Sequence, residues 1–166
     1  MYRTAKRRMV VVATAAAIAL ASAVAWAANP HFISAKATLE NDFSLTIKFK
    51  EAGLGSNQMI HYIASANSTA TYQCVNHGGK CPQAANKTTV SGPVTGEGTF
   101  SSGKNGQITA SLTLNPPDPG DFSCPGGQVM EVAAVSYSQI KLQDTTTPVE
   151  TSVVPSSIAA QGNVCP

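Results

Sequence analysis

The most constraining feature of this chain is a strict alternation of apolar and polar residues, with no helical periodicity anywhere after residue 28. In Phe43-Ser44-Leu45-Thr46-Ile47-Lys48-Phe49-Lys50 every odd position is apolar and every even position is polar. Successive side chains of a strand point to opposite faces, so the pattern predicts a strand with one buried and one solvated face. Thr, Ser, Val, Gly and Pro dominate the rest, with frequent turn signals, which indicates an all-β fold.

A tight hairpin turn is predicted at Asn105-Gly106, because both residue types tolerate the positive φ that such turns need. The strand that follows directs its apolar residues to one face: Ile108, Ala110, Leu112 and Leu114. Prolines at positions 116, 117 and 119 then end this strand, because proline cannot donate a ladder hydrogen bond.

Further strands are predicted over residues 35–40, 59–65, 69–75, 88–90, 129–137, 139–144 and 149–154. Within them, the apolar positions are odd at Val135 and Tyr137 but even at Ile140 and Leu142. Such a change of parity indicates a β-bulge or a change of strand partner near Ser136-Tyr137-Ser138. No internal repeat and no long linker divides the chain, so residues 28–166 are expected to form a single domain.

The first 27 residues have the three-part order of a secretory signal peptide. A basic region ends at Arg8, an uncharged run rich in Ala and Val covers residues 9–24, and Ala25-Trp26-Ala27 supplies a small-residue cleavage site. We predict cleavage after Ala27 or Ala28 and a secreted, extracellular product without membrane contact. A permanent anchor is the alternative, but the run is only weakly apolar and lacks a charged stop-transfer flank.

The charge of the predicted mature chain argues against nucleic acid as a partner. Seven lysines against nine carboxylates leave a formal charge of −2, and there is no arginine after residue 8. Arginine supplies the bidentate contacts that read phosphates and base edges. We therefore expect a monomer that binds an extracellular partner or a small ligand, with no cofactor and no metal ion.

The four cysteines, at positions 74, 81, 124 and 165, predict two disulfides, since zinc sites need closely paired ligands such as C-x2-C. In an Ig-like sandwich, the strand ending at Cys74 and the strand starting after Cys124 would be antiparallel neighbours. That geometry favours Cys74–Cys124, with Cys81–Cys165 fixing the tail. The rival pairing, Cys74–Cys81 with Cys124–Cys165, stays open. The predicted fold is thus an Ig-like antiparallel β-sandwich of about 7–9 strands with two disulfides.

No catalytic residue is predicted. The chain contains no G-x-S-x-G, and His31, His61 and His77 are scattered, so a small hydrolase is only an alternative. The most distinctive segment is Cys74-Val75-Asn76-His77-Gly78-Gly79-Lys80-Cys81-Pro82. Its functional interpretation is a recognition loop that binds through Asn76, His77 and Lys80, for example in a protease inhibitor. Its structural interpretation is a turn-rich connection.

Two resemblances bear on these alternatives. The stretches 71–82, 85–128 and 135–146 resemble a family of small actinobacterial secreted proteins without an assigned activity. More loosely, residues 52–54, Cys74, Cys81-Pro82 and the turn leading to residues 111–114 resemble neocarzinostatin-type apoproteins, which are Ig-like carriers of an enediyne chromophore. The second resemblance implies the Ig-like fold and a short Cys74–Cys81 loop. It also implies a small-molecule carrier as an alternative to a secreted, non-catalytic protein that binds through loops at one end.

Overall fold

The computed structural model describes residues 29–78, 81–82 and 86–162, and the predicted signal peptide lies outside this part of the chain. Eight strands account for the regular structure of the described residues. They are β1 His31–Leu39, β2 Leu45–Ala52, β3 Met59–Asn76, β4 Lys87–Ser101, β5 Gln107–Leu114, β6 Gln128–Asp144, β7 Val149–Ser152 and β8 Ser157–Gln161. No helix within the described ranges is long and apolar enough to span a membrane. The all-β prediction is confirmed.

The strands form two antiparallel sheets that enclose one hydrophobic core. The smaller sheet has the order β1-β2-β5, and the larger has the order β4-β3-β6-β7, with β8 also paired to β6. At one side a short parallel bridge, Lys36 to Val154, connects β1 to the segment between β7 and β8. Opposite it, β4 of one sheet approaches β5 of the other, so both lateral openings are narrow.

The period-two pattern of β2 places its apolar face in the core, as predicted. Leu45, Ile47 and Phe49 are all at most 2 % exposed. Phe43, which the pattern assigned to the same strand, instead lies in the β1–β2 turn with a φ of 65°. The alternation continues by chance into a turn, so the strand begins two residues later than predicted.

The parity change in β6 is a β-bulge. Between β3 pairs Ser65↔Lys141 and Asn67↔Ser138, β6 contains one extra residue, and Gln139 there has a φ of 53°. A second shift, which the sequence analysis did not identify, leaves Ala133 unpaired with β3. Because each bulge reverses the parity once, Val135, Tyr137, Ile140 and Leu142 are all buried.

Two predicted features of strand order are wrong. Segments 59–65 and 69–75 are one continuous strand, β3, which pairs with β4 on one side and β6 on the other. The strands on either side of Asn105-Gly106 are not a paired hairpin, because β4 belongs to the larger sheet and β5 to the smaller. The connecting residues pack on the β2–β3 loop instead, where Leu54 N donates to Gly106 O at 3.1 Å.

Candidate binding groove

A groove of about 670 Å³ opens where the β1–β2 turn, the start of β6 and the end of β8 meet. Its apolar lining consists of Leu39, Phe43, Val132 and Ala160. Its ionisable lining consists of Glu40, Asp42 and Glu131. The volume falls in the range of roughly 300–1,000 Å³ in which proteins hold small ligands.

Hydrogen bonds within the β1–β2 turn fix the position of its acidic side chains. Asp42 Oδ1 accepts hydrogen bonds from the Ser44 hydroxyl at 2.6 Å and the Ser44 backbone N–H at 3.0 Å. Both bonds lower the pKa of Asp42, because they favour its charged form. The backbone closes the turn from both sides, with Glu40 N donating to Ser44 O and Phe43 N donating to Glu40 O. The Asp42 carboxylate is therefore held ionised at the rim of the groove.

Phe43 adopts a left-handed backbone conformation that is unfavourable for a bulky side chain. Its carbonyl accepts a hydrogen bond from the Tyr137 hydroxyl at 2.9 Å. Tyr137 is buried in the core, and this burial raises its pKa to about 12, so the hydroxyl remains a donor at neutral pH. Strained backbone of this kind persists only where surrounding contacts enforce it, and it occurs often at binding sites.

All ionisable groups that line the groove carry the same sign. Glu40, Asp42 and Glu131 are exposed, and the lining contains no lysine or histidine. A concave surface with one sign of charge concentrates counter-ions and raises the association rate of oppositely charged ligands. The groove is therefore suited to a cation.

The predicted recognition loop begins near this end of the molecule but does not line the groove. Asn76 ends β3, and its Oδ1 accepts a hydrogen bond from Gln128 Nε2 at 3.3 Å. His77 is exposed, with its backbone N–H bonded to Gly127 O at 3.4 Å. Lys80 lies outside the described residues. The structure thus places Asn76 and His77 at the end of β3, beside the start of β6 and outside the lining of the groove.

A disulfide between Cys74 and Cys124 joins the end of β3 to the loop before β6. This is the pair that the strand-neighbour argument favours, and β3 and β6 are indeed antiparallel neighbours. The rival pairing is wrong, because Cys74 is bonded to Cys124 and not to Cys81. Cys165 lies outside the described residues, so Cys81–Cys165 remains a prediction.

The three histidines do not form a common site. His61, on the exposed face of β3, lies 3.0 Å from the Thr99 hydroxyl through Nδ1 and 3.7 Å from Glu97 through Nε2. These side chains lie on an open sheet surface, with 39 % of His61 and 72 % of Glu97 exposed, which gives a nucleophile no protection from water. His77 follows the other end of β3, so it lies roughly 50 Å from His61 along the extended strand. His31 is exposed on β1, with Nδ1 2.8 Å from Asn29 O.

A buried polar cluster lies at the opposite end of the sheets from the groove. Glu51 and Asp144 are both fully buried. Asp144 accepts backbone hydrogen bonds from Thr146 and Thr147, whereas neither carboxyl oxygen of Glu51 has a hydrogen-bond partner among the described residues. Burial raises the pKa of Glu51 to about 7, and the charge of Asp144 adds to this rise. The facing Tyr62 hydroxyl and His31 oppose it.

No protein-family model matches this chain, and neither a curated protein nor a solved structure matches it. Within the described ranges, no group of three or more His, Cys, Asp or Glu side chains is placed to hold a metal ion. The groove is therefore the candidate binding site because of its geometry and charge alone.

Sequence reasoning missed the groove because its walls are far apart in the chain. Glu40 and Asp42 belong to a turn, Glu131 to a strand and Gln161 to the last strand. The one available signal was Glu131, a carboxylate in the otherwise apolar run Val129-Met130-Glu131-Val132.

Proposed function

We propose that the protein is a secreted, non-catalytic Ig-like β-sandwich that binds a cationic partner or ligand in the groove at one end of its sheets. The groove carries the proposal, because it combines an apolar lining with three carboxylates and no opposing cation. The formal charge of −2 after residue 28 acts in the same direction, since it attracts cations from a distance.

Three observations support the Ig-like part of the proposal. Two antiparallel sheets enclose one core, β3 and β6 are antiparallel neighbours, and Cys74–Cys124 joins them at one end. β3 and β6 would then correspond to the C and F strands of such domains. The disulfide agrees with the proposed export, because disulfides persist in oxidising compartments.

A small-molecule carrier is a second candidate that the groove volume of about 670 Å³ favours. It would bind at the β1–β2 turn and not beside the turn at 102–106. That turn packs on the β2–β3 loop through the Ser102 hydroxyl, which donates to Gly55 O at 2.6 Å.

Calorimetric titration with spermine tests the proposal, because this polycation has charge but neither a peptide backbone nor an apolar side chain. We expect binding that weakens as salt increases. In Glu40→Gln/Glu131→Gln we expect affinity to fall about tenfold, roughly threefold for each exposed charge removed. Glu97→Gln is the matched control, because it removes an exposed carboxylate from β4, away from the groove. Equal affinity in the two variants would show that the groove is not the cation site.

A further inference from the structure

Two walls of the groove are strand edges that no other described strand pairs with along the groove. β8 pairs with β6 along Ser157–Gln161, and among the described strands none pairs with its other side. β1 pairs with β2, and within the described ranges its other side forms a backbone pairing only at the Val154 bridge. There Ala37 N donates to Val154 O at 3.0 Å and Val154 N donates to Ala35 O at 3.1 Å. Beyond this bridge β1 continues to Leu39 while the other segment continues into β8, and the groove opens between them.

An edge strand presents a regular row of hydrogen-bonding groups to whatever lies beside it. In an antiparallel ladder every second residue directs its N–H and C=O away from its partner strand. In β8 these groups point away from β6 toward the unpaired side. Extended peptides add to sheets at such edges through main-chain hydrogen bonds, while alternate side chains give specificity. The five residues of β8 provide a ladder of about 17 Å, enough for about five residues of an added strand.

We infer that an extended peptide segment bearing lysine or arginine adds as a strand to β8 and places its basic side chains against Glu40, Asp42 and Glu131. The inference rests on the proposed function, and it specifies the class of cation and the mode of binding. Charge selects the occupant, because every ionisable group in the lining is acidic. Apolar side chains on the alternate positions of the peptide would contact Phe43 and Val132, which line the same groove.

The test uses a fluorescein-labelled peptide of alternating lysine and valine and measures its binding by fluorescence anisotropy. Two matched probes accompany it: one with glutamate in place of lysine, and one with alternate backbone nitrogens methylated. We expect the lysine peptide to bind at least tenfold more tightly than either matched probe. Methylation removes the main-chain donors but keeps the charges, so it isolates strand addition. In the complex, amide hydrogen exchange should slow in β8 and stay unchanged in β4.

A charge reversal in the protein supplies the second arm. Glu131→Lys should weaken the lysine peptide at least tenfold and strengthen the glutamate peptide, whereas Glu97→Lys on β4 should change neither. Equal binding of the methylated and unmethylated lysine peptides would show that strand addition is wrong. If spermine binding still weakens in the Glu131 variants, the proposed function would remain supported. Loss of both peptide and spermine binding would overturn both. If sedimentation experiments show concentration-dependent dimerisation that persists in the presence of each peptide, the proposal of a peptide occupant is wrong. The edge of β8 would then bind a second copy of this chain.

Discussion

Gly96 on β4 lies against β5 of the other sheet, and its substitution tests whether the sheets are closed on this side. A Cβ at Gly96 would lie 2.4 Å from the backbone oxygen of Thr113 on β5. Ordinary contact begins at 3.4 Å, so β4 and β5 must separate by 1.0 Å, the difference between these distances. The obstacle is backbone that β2 holds in a ladder, so it cannot move aside as a flexible side chain could.

The expected cost of Gly96→Ala follows from two opposing effects. Forcing an extra methyl group into packed structure costs about 1–3 kcal/mol. Replacing glycine by alanine in a strand recovers about 0.5–1 kcal/mol of backbone entropy. We therefore expect a net loss of about 1–2 kcal/mol in the free energy of unfolding.

Gly92→Ala is the matched control, because Gly92 lies on the same strand and its added Cβ would have no neighbour within 4 Å. This variant should be unchanged or more stable by about 0.5 kcal/mol. Urea unfolding followed by circular dichroism measures both, and the m value should stay constant. If Gly96→Ala proves as stable as Gly92→Ala, the close approach of β4 to β5 is wrong.

Two further predictions concern the opposite ends of the molecule. The folded-state pKa of Glu51 is raised from 4.5 to about 7, so folding binds a proton in this interval and stability should fall between pH 4.5 and pH 7, then level off. The loss in the free energy of unfolding is about 3 kcal/mol. Urea unfolding should show that this pH dependence disappears in Glu51→Gln, whereas the control Glu97→Gln should keep it. Cys74→Ala/Cys124→Ala opens a loop with a sequence separation of 50, and the chain-entropy relation predicts a loss of about 4 kcal/mol. A double variant within about 1 kcal/mol of the parent in calorimetry would contradict the loop-closure argument.

Local patterns predicted those parts of the fold that depend on neighbouring residues in the chain. Alternation identified the inward faces of β2 and β5, and the parity of Tyr137 and Ile140 located a bulge one strand position before it occurs. The middle of β3, Ser65-Ala66-Asn67-Ser68, has little strand propensity, and so it was predicted as a break. It remains extended because β4 and β6 pair with it from both sides, a tertiary effect that no local pattern contains.

The groove illustrates the same limit. Its acidic side chains come from elements separated by about ninety residues, and only the sheet order brings them together. Phe43 was misassigned because its apolar character fits the strand pattern, whereas its conformation is set by the Asp42–Ser44 hydrogen bonds and by Tyr137. The Cys74–Cys124 pair was accessible from sequence because it depends on only two adjacent strands.

The two bulges of β6 can also be described as a pair of one-residue insertions that cancel. If Ala133 and Gln139 were absent, the buried residues Val135, Tyr137, Ile140 and Leu142 would fall into uninterrupted alternation with Met130 and Val132. β8 pairs with the five residues between the insertions, from Ala134 to Ser138, and Gly162 N bonds to Ala133 O at 2.9 Å. The insertions thus delimit a five-residue segment of β6 that pairs with β3 on one side and with β8 on the other. Because the inward-facing positions keep their alternation beyond this segment, the twist of residues 134–138 can differ from that of the rest of β6 without displacing the core.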